Sequence, residues 1–252
     1  ACAVLRPESI GDYAAVLFYD MSGVLMPAMG ESGRPGDGIR PPADYVASIE
    51  SLLDRGIGIV LLNHALVSWP GWPLWRAISG TSYLLRPGRC HGVDLPASGY
   101  RGGMGQPDRT ARFEVVPASP DHPVLEGLEQ GFEIEDELYL KSPGFEASVV
   151  PLLRADYDFA PENFSPPPLA SPEEQRTWAH PHGSNLVVWA NAAGKSPVVA
   201  SELGDGPSAY ANPGFRRLLA NAVHWVASEP ARAWAAEHGG AGRTTAMRKY
   251  EP

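Results

Sequence analysis

The sequence predicts one α/β domain with a mostly parallel sheet flanked by helices. Three observations carry that reading. Two aliphatic runs, "AAVLFY" at 14–19 and "IGIVLL" at 57–62, bracket a segment with helical periodicity. Such a β-α-β unit implies parallel strands joined by a right-handed crossover. A second amphipathic helix follows two adjacent strand patterns near the end of the chain. The 252 residues show no internal repeat and no linker, and a chain of that length can bury one large core.

Each element follows from its residues. The run at 14–19 stops at Asp20, as a buried strand does on meeting a loop. The breaker-rich stretch "SGVLMPAMGESGRPGDGIRPP" reads as a long functional loop. From Pro42 to Arg55, Tyr45, Val46, Ile49, Leu52 and Leu53 recur at helical spacing, and Gly56 supplies the stop. The strand at 57–62 ends on Asn63-His64, and Pro73 opens a short helix that closes near Gly80. Residues 81–111 read as loop. "RFEVVP" (112–117), "FEIEDELYL" (132–140) and "SVVPLLR" (148–154) read as strands, and about 156–184 as an irregular insertion. "NLVVWA" (185–190) and "PVVASEL" (197–203) read as neighbouring strands across "NAAGKS". In the helix at 213–228, Asn212 caps, Pro213 takes the first position, and Phe215, Leu218, Leu219, Ala222, Val223 and Val226 form one apolar stripe. Residues 229–252 read as a helical extension and tail beyond a domain spanning 1–228.

Composition excludes several classes. A net charge of -9 argues against a nucleic-acid surface; Arg216-Arg217 and the tail from Arg243 to Lys249 are the only local basic features. No apolar stretch reaches the roughly 20 residues that span a bilayer, and the start lacks the pattern of a secretory signal, so a cytoplasmic protein is expected. Two cysteines make no disulfide framework. The expected partner is a small-molecule substrate, with a homodimer as the oligomer considered.

Chemistry is expected where strands end. Asp20 and His64 each follow a strand, where open α/β sheets place their ligands. An imidazole there can move protons near neutral pH or hold a metal; the plain alternative is a bond to a loop carbonyl. "EIEDELY" alternates so that Glu133, Glu135, Glu137 and Tyr139 share one face and Ile134, Asp136 and Leu138 the other. Clustered carboxylates can divide acid and base roles, or simply solvate an edge. "WAHPHGSN" offers His180 and His182 beside Trp178, a pair that could serve a divalent metal such as zinc with His64, Glu137 or Asp20 as a third ligand, or that simply packs and hydrogen-bonds in its loop. Cys90-His91 is not a strand-to-helix elbow, and "RGGMG" fits no nucleotide fingerprint. His122, before a proline, reads as structural.

Three segments in register carry a resemblance. "DHPVLEGLEQGFEIEDELY", "LLNHALVSWPGWPLWRAISG" and "GDGPSAYANPGFRRLLANAVHWVAS" resemble the ThuA-like family, associated with trehalose utilisation, over roughly residues 14–228. The resemblance implies a flavodoxin-like fold similar to class I glutamine amidotransferases. It also implies an enzyme of sugar catabolism, a hydrolase or lyase on carbohydrate derivatives including 3-keto-glycosides. Amidotransferases carry a cysteine at the elbow where this chain has Asn63-His64, so glutaminase activity is not implied. By motif, His64, Asp136, Glu137 and Tyr139 fall on the family's polar positions. The expected roles are His64, Glu137 and Tyr139 in catalysis, and Asp20, Asn63, Trp69, Trp72, Asp136, Trp178, His180 and His182 around the substrate. The alternative is a non-catalytic ligand-binding or assembly protein on the same scaffold. The chain departs from the family where "SGTSYLLRP" lacks a histidine after the helix and where "LGDGP" lacks one near the last strand; His180 and His182 are the candidates to compensate. Before residue 14, "ACAVL" is too short for the fold's expected first strand.

Overall fold

The computed structural model describes residues 2–24, 40–81, 83–90, 93–102, 110–167 and 170–239. His91, most of the breaker-rich loop, the glycines after Gly102 in "RGGMG" and the basic tail lie outside the described residues. After a 3-10 turn at Cys2–Leu5, the elements run α1 (Pro7–Ile10), β1 (Ala15–Phe18), α2 (Ala43–Arg55), β2 (Gly58–Leu62), α3 (Pro73–Ser79), β3 (Gly88–Cys90), β4 (Val93–Leu95), β5 (Gly99–Arg101) and β6 (Ala111–Pro117). They continue with β7 (Phe132–Asp136), β8 (Leu138–Leu140), β9 (Val150–Asp156), α4 (Pro172–Thr177), β10 (Leu186–Ala193), β11 (Ser196–Ser201), α5 (Pro207–Ala211), α6 (Pro213–Val226) and α7 (Glu229–His238). Among the described residues no helix is long and apolar enough to cross a membrane.

The main sheet has seven strands in the order β1-β2-β11-β10-β9-β6-β7. Here the expectation of a mostly parallel sheet is corrected. Only β1–β2 and β2–β11 pair in parallel; the other four neighbouring pairs are antiparallel. The physical reason is connection length. Ala193 faces Ser196 across a two-residue turn, with Gly194 at φ 57, and a link that short can only reverse the chain. Parallel pairing survives where a helix supplies the crossover, as α2 does between β1 and β2.

Burial sorts the sheet into two faces. On β2 every residue is buried: Ile59 and Leu61 pack with α2 and α3, Val60 and Leu62 with α6 and α7. This explains why the strand reads as a continuous aliphatic run. The segment at 132–140 is two strands. β7 closes the main sheet against β6, whereas β8 leaves it to pair with β5, Tyr100 standing opposite Tyr139. Their junction is Glu137, which is buried while Glu133 and Glu135 remain exposed, so the one-face alternation stops there.

Because β7 and the three strands β1, β2 and β11 run in one direction through these pairings, their carboxyl ends emerge on one side of the sheet. That side collects Tyr19, His64, Asp205 and Glu137.

Candidate active site

The site begins at the exit of β2. Asn63 adopts φ 41, a left-handed conformation that asparagine tolerates better than most side chains. It is fully buried, and its amide is satisfied at both ends. Nδ2 donates to the Glu202 carbonyl at 2.7 Å, and Oδ1 accepts from the Tyr139 hydroxyl at 3.0 Å. The bend sets His64 beyond the strand, in a 3-10 turn spanning Asn63–Leu66. His64 is half-buried; its Nε2 lies 3.3 Å from Asp205 Oδ1, and the Tyr19 ring tilts against it with centroids 5.7 Å apart.

Asp205 is held by its neighbours. Its amide donates to Asp136 Oδ1 at 3.2 Å, the Gly204 amide donates to Asp136 Oδ2 at 2.7 Å, and the Glu137 amide donates to Asp136 Oδ1 at 2.9 Å. Asp136 therefore clamps the turn after β11 to the end of β7. Burial pushes its carboxyl up to about 6, against the pull of those three N–H bonds. The Tyr19 hydroxyl donates to the Asp205 carbonyl at 2.7 Å.

Glu137 completes the cluster. One carboxylate oxygen accepts a hydrogen bond from the Tyr100 hydroxyl. One ligand atom each from His64, Glu137 and Asp205 lies within 4.8 Å of the others, and no other such group occurs among the described residues. Tyrosines surround it. Burial, then the nearby carboxylates, pushes Tyr19 up to about 12 and raises Tyr83, Tyr100, Tyr139 and Tyr210, so all five stay neutral at pH 7. The charges that act on these five phenols come from Asp136, Glu137 and Asp205; the field at the site is negative.

The structure gathers His64, Glu137, Asp136, Asn63 and Tyr139. It places the other expected residues elsewhere. Of the gathered residues Tyr139 is buried behind Asn63; among the others, Asp20 accepts from the Ser22 hydroxyl. Trp69, Trp72 and Trp75 form an aromatic layer with Tyr45 and Phe18 in the core beside α2 and α3. Trp178 donates its indole N–H to the Ala97 carbonyl at 2.9 Å and lines an apolar groove with Leu85, Pro96 and Pro167. His180 stacks on Trp178 with Nδ1 2.7 Å from the Pro181 carbonyl, and burial lowers its pKa; His182 is exposed beside Asp158. Neither joins the His64 cluster. The Cys90 side chain is not among those described.

Asp205 and Tyr100 were not anticipated. Asp205 stands in "LGDGP", the segment marked only for the histidine it lacks, and its signal was its place just past a strand end. Tyr100 lies in a glycine-rich stretch read as loop. Only the β5–β8 pairing brings it to Glu137.

Comparison with known proteins gives the context. A ThuA-like protein from Bacteroides uniformis ATCC 8492 superposes with a TM-score of 0.54 at 18% identity, covering 88% of this chain and 72% of that one. A ThuA-like protein from Parabacteroides merdae ATCC 43184 gives 0.53 at 16% identity, covering 84% and 70%. At such identities the likeness concerns the fold. No curated protein matches. Residues 7–226 match the family described as ThuA, trehalose utilisation, and that span takes in every strand of the main sheet together with the His64, Glu137 and Asp205 cluster. The chain belongs to the ThuA family.

Proposed function

We propose that this chain is an enzyme that acts on a small sugar-derived substrate, a keto-glycoside, by acid/base elimination or hydrolysis without a cysteine nucleophile. The observation that carries the reading is the meeting of His64, Glu137 and Asp205 beyond the carboxyl ends of β2, β7 and β11. Family membership supports the substrate class.

The residues divide the work as follows. With Nε2–H directed at Asp205, His64 presents Nδ1 as the base, and Asp205 orients the ring and stabilises the imidazolium that forms. His64 removes the proton beside the substrate carbonyl. The electron pair moves into an enolate; as the carbonyl re-forms, a carbon–carbon double bond replaces the bond to the leaving oxygen, which takes the broken bond's electrons and a proton from the Tyr100–Glu137 pair. Tyr100 suits this because it stays neutral. Asn63 and Tyr139 hold the turn that aims His64.

The same three residues fit a divalent cation. One imidazole and two carboxylates form an acceptable donor set for such an ion, with one ligand atom from each lying within 4.8 Å of the others. When bound there, such an ion supplies Lewis-acid polarisation of a substrate oxygen.

The test is a panel of 3-keto glycosides and their parent glycosides, with product release followed by mass spectrometry. Turnover of a keto substrate is expected, with His64→Ala lowering it by about 10²- to 10⁴-fold at unchanged melting temperature. Turnover indifferent to His64→Ala overturns the assignment. Binding without turnover would make the chain a ligand-binding member of the family.

A further inference from the structure

Behind the site lies a buried ion pair that the proposed chemistry does not use. Lys141, directly after β8, is 1% exposed, and Glu202, directly after β11, is 0% exposed; the ammonium contacts the carboxylate. The Lys141 Nζ also sits 5.4 Å from the ring centroids of both Phe145 and Trp189. Stability alone does not account for such a pair, since desolvation consumes most of the attraction and apolar residues of the same volume serve as well.

Its connections do account for it. Glu202 Oε2 accepts the Tyr139 amide at 3.4 Å, and its carbonyl accepts Asn63 Nδ2 at 2.7 Å. The Tyr139 hydroxyl donates to Asn63 Oδ1 at 3.0 Å, which closes a ring of three residues. Each member lies a short step along the chain from one residue of the cluster: Asn63 next to His64, Tyr139 two residues after Glu137, Glu202 three before Asp205. We infer that the Lys141–Glu202 pair is a positioning device, which joins at one buried point the three segments that deliver His64, Glu137 and Asp205.

The carboxylate is needed because an apolar side chain at 202 would leave the Tyr139 amide without its acceptor. Lys141 is needed because a carboxylate at that depth requires a counter-charge. Neither side chain reaches solvent, so both act through the residues they hold.

The test is amide hydrogen exchange on the Lys141→Met/Glu202→Leu double variant, without substrate or metal, so it stands apart from the chemistry proposed above. The expected result is a cooperatively folding protein in which exchange at residues 63–66, 137–140 and 203–205 quickens about tenfold or more. In β6 and β9 it should stay within about twofold. Should the double variant not melt cooperatively, Glu202→Leu alone carries the same test. Unchanged protection in the three segments, or a rise spread evenly over the sheet, overturns the inference.

Discussion

At the scale of single residues, the site depends on short polar contacts made in places closed to water. Tyr100 donates to Glu137, whose side chain is only 2% exposed, and a Cβ on Gly102 would strike both the phenol oxygen and the carboxylate. Tyr100→Phe is expected to cost about 1–3 kcal/mol in denaturant unfolding, because a charged buried acceptor loses a donor. Gly102→Ala should disturb the pair more, visible in a crystal structure as separation of the two groups. His122 makes a different case. Its Nδ1 accepts the Val124 amide at 3.2 Å at the start of a 3-10 turn, its ring packs 4.8 Å from Trp225, and burial pushes its pKa down to about 3. The unfolded chain therefore takes up a proton below about pH 6.5 that the folded chain refuses. Stability present above that pH is lost as the pH falls, by about 1.4 kcal/mol per unit between pH 6.5 and 3. His122→Asn keeps an acceptor for the turn and removes the titration, so its unfolding free energy should fall less steeply over that window than that of the wild type.

At the scale of elements, caps and turns decide how the site is held. Asn212 starts α6 by accepting the Gly214 and Phe215 amides at 2.8 and 3.2 Å, and its Nδ2 donates to the Glu133 carbonyl at 2.7 Å. One side chain thus caps a helix and fastens it to β7, the strand that leads into Asp136 and Glu137. Asn212→Ala should cost about 1–2 kcal/mol, measured by chemical denaturation. A helix-capping serine in its place should recover most of that loss but not the bond to β7. The β10–β11 hairpin turns on Gly194, whose positive φ and close approach to Leu53 leave little room for a side chain. This turn makes β11 return beside β2 and carry Asp205 to His64. The order of strands, and with it the site, depends on a two-residue loop.

At the scale of the whole molecule, the site is a cluster of one imidazole and several carboxylates built from distant segments and surrounded by neutral phenols. A cation that binds the folded chain alone stabilises it by mass action, about 2.7 kcal/mol when present at a hundredfold excess over its Kd. Addition of Mn²⁺ or Zn²⁺ should therefore raise the melting temperature of the wild-type protein, and Asp205→Asn should abolish most of the rise. An equal rise in both proteins would place the ion elsewhere. The same geometry explains which expectations had to move. The tryptophans after His64 face the α2–α3 layer, and the aromatic ring beside His64 is that of Tyr19, with Tyr210 packed edge-on against it.

What the sequence determined by itself was local. Periodicity located β1, α2, β2, α3 and α6 almost to the residue, because burial of one face writes itself directly into residue spacing. The strand-end position singled out His64, and the resemblance to the ThuA-like family singled out Asp136 and Glu137. Pairing belonged to the tertiary structure. The sense of each strand is set by the link that joins it to its neighbour, and the split at Glu137 by β8 finding β5. Neither leaves a periodic mark along the chain. For the same reason Asp205, Tyr100 and the Lys141–Glu202 pair became visible only in three dimensions: their roles come from contacts across as many as 186 positions in the chain, as between Tyr19 and Asp205, and a hydrogen bond over that distance has no signature in the residues between.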